Sequence, residues 1–472
     1  MFLHHFAEVF ATDESKNWTP GGYRIETLLI SLIGLIALVF VADYLDPMAV
    51  KAAGTAVVAI SPLWLPLFLA AFFWTTWIEY LRFQFLFRRK MVLLEIQLPP
   101  EVIKSPLAME LFLTALWNNG SETSFIQRIW KGQFRVVWTL EIASNEGQVS
   151  FYIHIPKDWR NIVESRLYGQ FPEAKVTEAE DYTRKVNFNQ DEYTWWGTEY
   201  QKSKAGAVPI RTYVDYALDK NPDTPEIQVD PLTNILEHFS SIGQGEYLWL
   251  QFVIKARKAD EWYGFYKSTE TKDSYKNGGR AEIAKMMKAA GERAKALVGE
   301  DPEKQAQAQA RGLTLLTEVE RRKVEAIERA MSKLLFECGI RSMYLCKKER
   351  FQLVNIGSLV RLFDPFRSGE YFNNINVTRG MSIFDYPWQD FMGIRRNILM
   401  KQILFYYRER AYFYVPYDQA PVFFNVEELA SLWHFPNSLV NPPGLERVAS
   451  KRAEAPANLP TAPAAPPVRL PM

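Results

Sequence analysis

The sequence predicts an α+β protein anchored by an N-terminal two-helix transmembrane hairpin, continued by two tandem α+β units and ended by a disordered Pro-rich tail. Three observations predict it. Two long apolar runs open the chain, strand-like and helix-like segments then alternate in a repeated order, and the last residues lose all apolar periodicity.

The apolar runs come first. Thr27–Ala42 carries no charge, and Ala52–Ile78 carries none over 27 residues. A membrane-spanning helix needs about 20 apolar residues. The hairpin is therefore placed at 25–81, with spans at about 25–45 and 54–78, and Pro62 and Pro66 should bend the second span. A signal peptide is the poorer reading, because no small-residue cleavage site follows the first run and a second apolar run does. Arg82, Arg88, Arg89 and Lys90 flank the second span, against only Asp43, Asp46 and Lys51 between the two. Positive charge favours the cytoplasmic side, which predicts a multi-pass protein of the cytoplasmic (inner) membrane with both termini in the cytoplasm. Residues 1–24 form a cytoplasmic segment whose opening MFLHHFAEVFA has an apolar face suited to the membrane surface.

From Met91 the periodicity changes. MVLLEIQL reads as a strand and SPLAMELFLTALW as a helix with proline in its first turn. QFRVVWTLEIA and GQVSFYIHIP read as strands joined at Ser144-Asn145-Glu146-Gly147, DWRNIVESRLYGQF as a helix and EAKVTEAEDY as a strand. The order βαββαβ over 91–185 is the split-βαβ, or ferredoxin-like, plan. A second such unit is placed at 208–365: PIRTYVDYAL as a strand, DPLTNILEHFSSI as a helix and EYLWLQFVIKAR as a strand. A charged helical insertion interrupts it at 258–311. The pairing of SPLAMELFLTALW with DPLTNILEHFSSI points to duplication. An extension over 366–450 and the tail 451–472 complete the organisation.

Motifs that carry chemistry are missing. No glycine is followed by lysine, so the phosphate loop G-x-x-x-x-G-K-[ST] is absent, as are HExxH, paired CxxC, G-x-S-x-G and G-x-G-x-x-G. The five histidines are scattered, and Cys338 and Cys346 lack metal-ligand spacing. The expectation is a protein that is not an enzyme and holds no cofactor or metal. The net charge of +1 gives no bulk argument for nucleic acid. Trp138, Tyr152, Trp249 and Phe252 lie on strand-like runs that could stack bases, but core packing is the better account of them.

Several segments resemble, in order, one known class. EIQLPPEVIKSPLAMELFLTAL, FYIHIPKDWRNIVESRLYGQFPEAKVTEAEDY, WGTEY with PIRTY, DPLTNILEHFSSIGQGEYLWLQFVIKAR and FNVEELASLWHFPNSLVNPPGLERVASKRAEAPANLP are similar to the membrane-proximal half of conjugative type IV secretion and DNA-translocating ATPases. The phosphate-binding residues of that class match no position here. The resemblance implies a division of labour: this chain as a non-catalytic membrane anchor and adaptor, likened to a type IV secretion system component, and a separate motor ATPase as partner. A homo-oligomer is expected, and a membrane-associated scaffold with no translocation role is the alternative. Leu432, Trp433, Phe435, Pro436, Pro442 and Pro443 are the candidate docking residues, since rigid aromatics and prolines lose little entropy on binding. The competing reading places Trp433 and Phe435 in the chain's own core. The tail reads equally as a tether or a vestige.

Overall fold

The structure, a computed structural model, describes residues 43–99, 104–118, 124–220, 229–257, 273–298, 316–369, 371–380, 393–414 and 417–436, with scattered single positions between and before them. The described residues include thirteen strands and ten helices. The helices are α1 (Pro47–Arg88), α2 (Pro106–Leu116), α3 (Arg160–Gln170), α4 (Tyr182–Lys185), α5 (Leu232–Ser240), α6 (Ser274–Val298), α7 (Glu318–Ser332), α8 (Leu353–Val360), α9 (Ile394–Arg408) and α10 (Val426–Leu432). The strands are β1 (Met91–Gln97), β2 (Val137–Asn145), β3 (Gln148–Pro156), β4 (Lys175–Glu178), β5 (Tyr193–Lys202), β6 (Glu246–Ala256), the short pair β7 (Trp262–Tyr263) and β8 (Tyr266–Lys267), β9 (Leu335–Lys347), β10 (Ile375–Gly380), the short pair β11 (Phe413–Tyr414) and β12 (Tyr417–Asp418), and β13 (Val422–Asn425).

Nine strands form one sheet in the order β10-β5-β9-β6-β2-β3-β1-β4, with β13 added to β9. Every ladder in it is antiparallel. The two tandem ferredoxin-like units predicted from sequence are thus corrected to a single continuous sheet. The cause is the outer edge of β2, which pairs with β6 from Val137 opposite Lys255 to Asn145 opposite Tyr247. An exposed edge is a liability, and pairing the two edges removes it. The orders β4-β1-β3-β2 and β10-β5-β9-β6 repeat the same pattern about this seam, with α2 and α5 following the first strand of each.

One predicted strand is misplaced. PIRTYVDYAL turns rather than extends, because Asp215 Oδ2 accepts from both the amide and the hydroxyl of Thr212, 2.9 and 3.0 Å away. The strand that opens the second half is instead TWWGTEYQK of β5. The β2–β3 turn is as compact as its sequence suggests. Glu146 and Gly147 both have positive φ, 55° and 90°, as a two-residue hairpin with the twist of its strands requires.

Layers cover both faces of the sheet, which is why β2 and β6 are buried nearly end to end. On one face α2 packs against α3 and α10. On the other, α9 and the β11–β12 segment press so close that two strand glycines are needed. A Cβ on Gly339 would lie 2.4 Å from the Tyr412 ring, and one on Gly197 would lie 2.7 Å from Ile403 Cγ2. The described part of the 258–311 insertion does not stand alone: α6 packs on α7 through Met286, Ala290, Val324 and Ile327. Thr317 and Glu320 close a reciprocal cap on α7.

The predicted transmembrane hairpin is not seen. Most of its first span lies outside the described residues, as do all of residues 1–24 and the tail 451–472. No single helix among the described residues is long and apolar enough to cross a membrane. The second predicted span falls within α1, which bends by 58° between Pro47–Leu63 and Leu65–Arg88. Pro62 and Pro66 break the hydrogen-bond ladder there. The two halves together do meet the length and composition of a crossing.

Gly339→Ala should destabilise the protein by about 1–3 kcal/mol through overpacking against Tyr412. Gly278→Ala, in α6 with no atom within 4 Å of the added Cβ, should instead stabilise it by about 0.5–1 kcal/mol. Chemical denaturation of both variants checks the contrast in sign.

Candidate functional site

The predicted docking residues sit inside the protein. Leu432, Trp433, Phe435 and Pro436 are all buried. Trp433 and Phe435 meet the Phe151 ring edge-on at 6.0 and 5.6 Å, and Phe435 meets Phe171 at 4.8 Å. Trp433 Nε1 donates to the Glu141 carbonyl at 3.4 Å. These four side chains therefore complete the chain's own core and present no surface to a partner. Pro442 and Pro443 lie outside the described residues. The membrane-flank residues Arg82, Arg88, Arg89 and Lys90 fall at the C-terminal end of α1, with Arg88 in its last turn and exposed.

All seven residues of α10 are buried, an unusual place for EELAS. A carboxylate is tolerated in such a place only when paired and hydrogen-bonded. Glu428 meets Lys202 Nζ at 2.6 Å, accepts from the Ile210 amide at 2.9 Å and closes a reciprocal cap with Asn425. Burial pushes the Glu428 carboxyl up and the Lys202 amine down, each toward its neutral form, against their mutual attraction. Glu427 meets Arg329 at 3.2 Å and Lys333 at 2.8 Å, which ties α10 to α7. His434 Nε2 lies 3.0 Å from Asp230 Oδ2, and its Nδ1 lies 2.9 Å from the Ala430 carbonyl.

The opposite face of the sheet carries a second polar set. Glu95, Tyr152, Glu141, Gln251, Arg341, Glu199 and Arg379 are successive cross-strand partners on β1, β3, β2, β6, β9, β5 and β10. Because side chains alternate along a strand, this register places the first six, from Glu95 to Glu199, on one face in a single row. Glu141 and Gln251 pair at the middle of the nine-residue seam. Glu141 accepts from Thr139 at 2.6 Å, Gln251 at 2.8 Å, Tyr182 at 2.8 Å and Arg410 at 2.9 Å. Gln251 Oε1 in turn accepts from Arg341 Nε at 2.7 Å, and Tyr417 donates to Glu199.

Arg410 closes the row from above. It bridges Glu141 to Asp181 at 2.7 Å, and Asp181 also accepts from Thr183. Its φ of 51° is a left-handed conformation that costs roughly 1–3 kcal/mol for a residue with a Cβ. Burial pushes the Glu141 carboxyl up, but the Arg410 guanidinium outweighs that and holds it below the usual range. Asp181 is held at about 2 for the same reason, against its own desolvation. Chemically this is a closed chain of ion pairs and hydrogen bonds, with the accepting positions of Glu141 committed to internal donors. Among the described residues no group of three or more His, Cys, Asp and Glu is placed to hold a metal ion.

Sequence reasoning passed over Glu141, Gln251, Arg341, Glu428 and Arg410. A signal for three of them was present: a charged or amide residue stands centrally in each of WTLEIAS, LWLQFVI and CGIRSMYLC. Nothing local marks Arg410, whose carboxylate partners Glu141 and Asp181 are more than two hundred residues away. No protein-family model matches the chain, and no curated protein matches it.

Arg410→Met should cost about 3–5 kcal/mol, since it leaves a buried carboxylate uncompensated. Adding Glu141→Gln should recover part of that loss in denaturation measurements, as a neutral side chain needs no counter-ion.

A pH dependence follows from His434. Burial lowers its pKa, but the Asp230 charge and hydrogen bond outweigh this, so it ends raised. A raised folded pKa gives stability that is present below the unfolded value of about 6.5 and is lost as pH rises through the folded value. His434→Gln should therefore be less stable than wild type near pH 5.5, with the gap narrowing above neutrality. A gap that widens with pH would reject the charged pair.

Proposed function

We propose that the chain is a membrane-associated, non-catalytic adaptor that organises a separate motor ATPase, in an assembly of the type IV secretion or DNA-translocating kind. The membrane part rests on α1. Leu63, Leu67, Leu69 and Phe73 are exposed along it, within a run of 27 residues that carries no charge. Exposing such a surface to water costs about 25 cal/mol per Å², which lipid removes. The adaptor part rests on the ordered resemblance of segments from residue 91 onward to the membrane-proximal half of translocating ATPases.

The body suits a platform. Its ionisable interior is neutralised internally, and its two halves are fused through a long seam into one sheet. A homo-oligomeric scaffold is the second reading, favoured by Ile394, Ile398 and Phe405, which are exposed along α9 at spacings of one and about two turns.

Membranes from the native cell, cross-linked in place and then solubilised, provide the test. The full chain is expected in the membrane fraction, linked to an ATPase that carries a phosphate-binding loop. Cross-links only between copies of this chain would favour the scaffold, and recovery in the soluble fraction would sink the membrane part.

A further inference from the structure

The segment 126–134 holds the C-terminal end of α1 against the sheet body. Gly132, at φ 60°, comes so close that a Cβ there would lie 2.4 Å from the Leu81 carbonyl. Phe134 meets Phe85 edge-on at 5.1 Å. Just before this clamp, on the π-helical turn Ile126–Trp130, two large apolar side chains point outward: Ile126 is 59% exposed and Trp130 60%. Phe87, on the clamped end of α1, is 81% exposed. Single exposed apolar residues are ordinary, but these three all lie within six residues of the Gly132–Leu81 and Phe134–Phe85 contacts that join the helix to the body.

The charges nearest them in the chain are basic, with Asp158 close enough to act on Arg89. Arg88, Lys90 and Lys131 are exposed beside them. Along α1 the order is a charge-free apolar run to Ile78 that includes Trp77, then Glu79, Tyr80 and Arg82, and at the helix end Arg88, Arg89 and Lys90. At 1.5 Å per residue, the basic turn lies roughly 15 Å beyond the end of the apolar run. Tryptophan with tyrosine at the rim, followed by lysine and arginine, is the composition that a headgroup region selects.

We infer that Ile126, Trp130 and Phe87, ringed by Arg88, Lys90 and Lys131, form a seat that sits in the headgroup layer of an anionic bilayer and sets the body against the membrane. This rests on the membrane reading of α1 and adds to it a second contact, made by the body itself. A lipid surface is the occupant that matches both the continuity with α1 and the basic rim.

The test uses the full chain reconstituted into vesicles of phosphatidylcholine with or without phosphatidylglycerol. Cys338 and Cys346 are buried, so a single cysteine introduced as Trp130→Cys or, in a second variant, Ile126→Cys can be labelled selectively with an environment-sensitive fluorophore. Glu325→Cys, on exposed α7 surface, is the control. The expected result is a blue shift and quenching by headgroup-level spin-labelled lipid at 126 and 130 but not at 325. Both should be larger with phosphatidylglycerol and reduced by Arg88→Glu, Lys90→Glu and Lys131→Glu combined. Labels that stay fully accessible to aqueous quencher while the protein floats with the vesicles would overturn the seat and leave the α1 reading standing. Failure to float would remove both. Shielding that depends on protein concentration in detergent alone would assign the patch to a second copy and overturn the seat.

Discussion

Burying Glu141 at the centre of the sheet is the constraint from which much of the structure follows. It occupies the middle of the β2–β6 seam, where both faces are covered. A carboxylate there must find a counter-charge and fill its accepting positions, because an unpaired buried ion costs several kcal/mol. Arg410 supplies the charge, and with it come Asp181, Tyr182, Tyr407 and Gln251, drawn from segments up to 269 residues apart in the chain. The requirement thus decides where α9 and residues 409–414 lie. Gly197 and Gly339 then become obligatory, since that cover can come close enough only over strand positions without a Cβ.

The opposite face solves the same problem around α10. A seven-residue helix with two adjacent glutamates is a poor candidate for a core, and nothing in its propensity puts it there. It is held by charges contributed from elsewhere: Lys202 from β5, and Arg329 and Lys333 from α7 and its end. The aromatics that follow, Trp433 and Phe435, then fill the space over Phe151. The protein is therefore stitched at two levels through its sheet, and each stitch joins early strands to late helices. Such contacts are slow to form, because long loops close before the contacts stabilise anything.

The contrast between α1 and the body is equally physical. The body hides its polar groups inside mutual pairs, whereas α1 leaves its apolar groups outside. Among the described residues the two meet at the helix end, through Gly132, Phe134 and Phe85.

Sequence alone determined the features that depend on neighbours within a few residues. The strands of the first half, the Glu146–Gly147 hairpin, the helices at 106–116 and 318–332 and the proline bend in α1 are all written in local periodicity and turn chemistry. Tertiary structure decided the rest. The fusion of two expected units into one sheet depends on an edge-to-edge pairing between strands about 110 residues apart, which no local pattern encodes. The segment around Trp433 looks identical as a sequence whether it docks on a partner or fills a core, and only its position over β3 settles which. The strand misplaced at PIRTYVDYAL failed for a nearer reason, since the Thr212–Asp215 hydrogen bonds outcompete an extended backbone that the alternation suggested. Short-range chemistry is legible because its partners are adjacent in the chain; burial and counter-charge are not, because the groups that provide them meet only when the chain has folded.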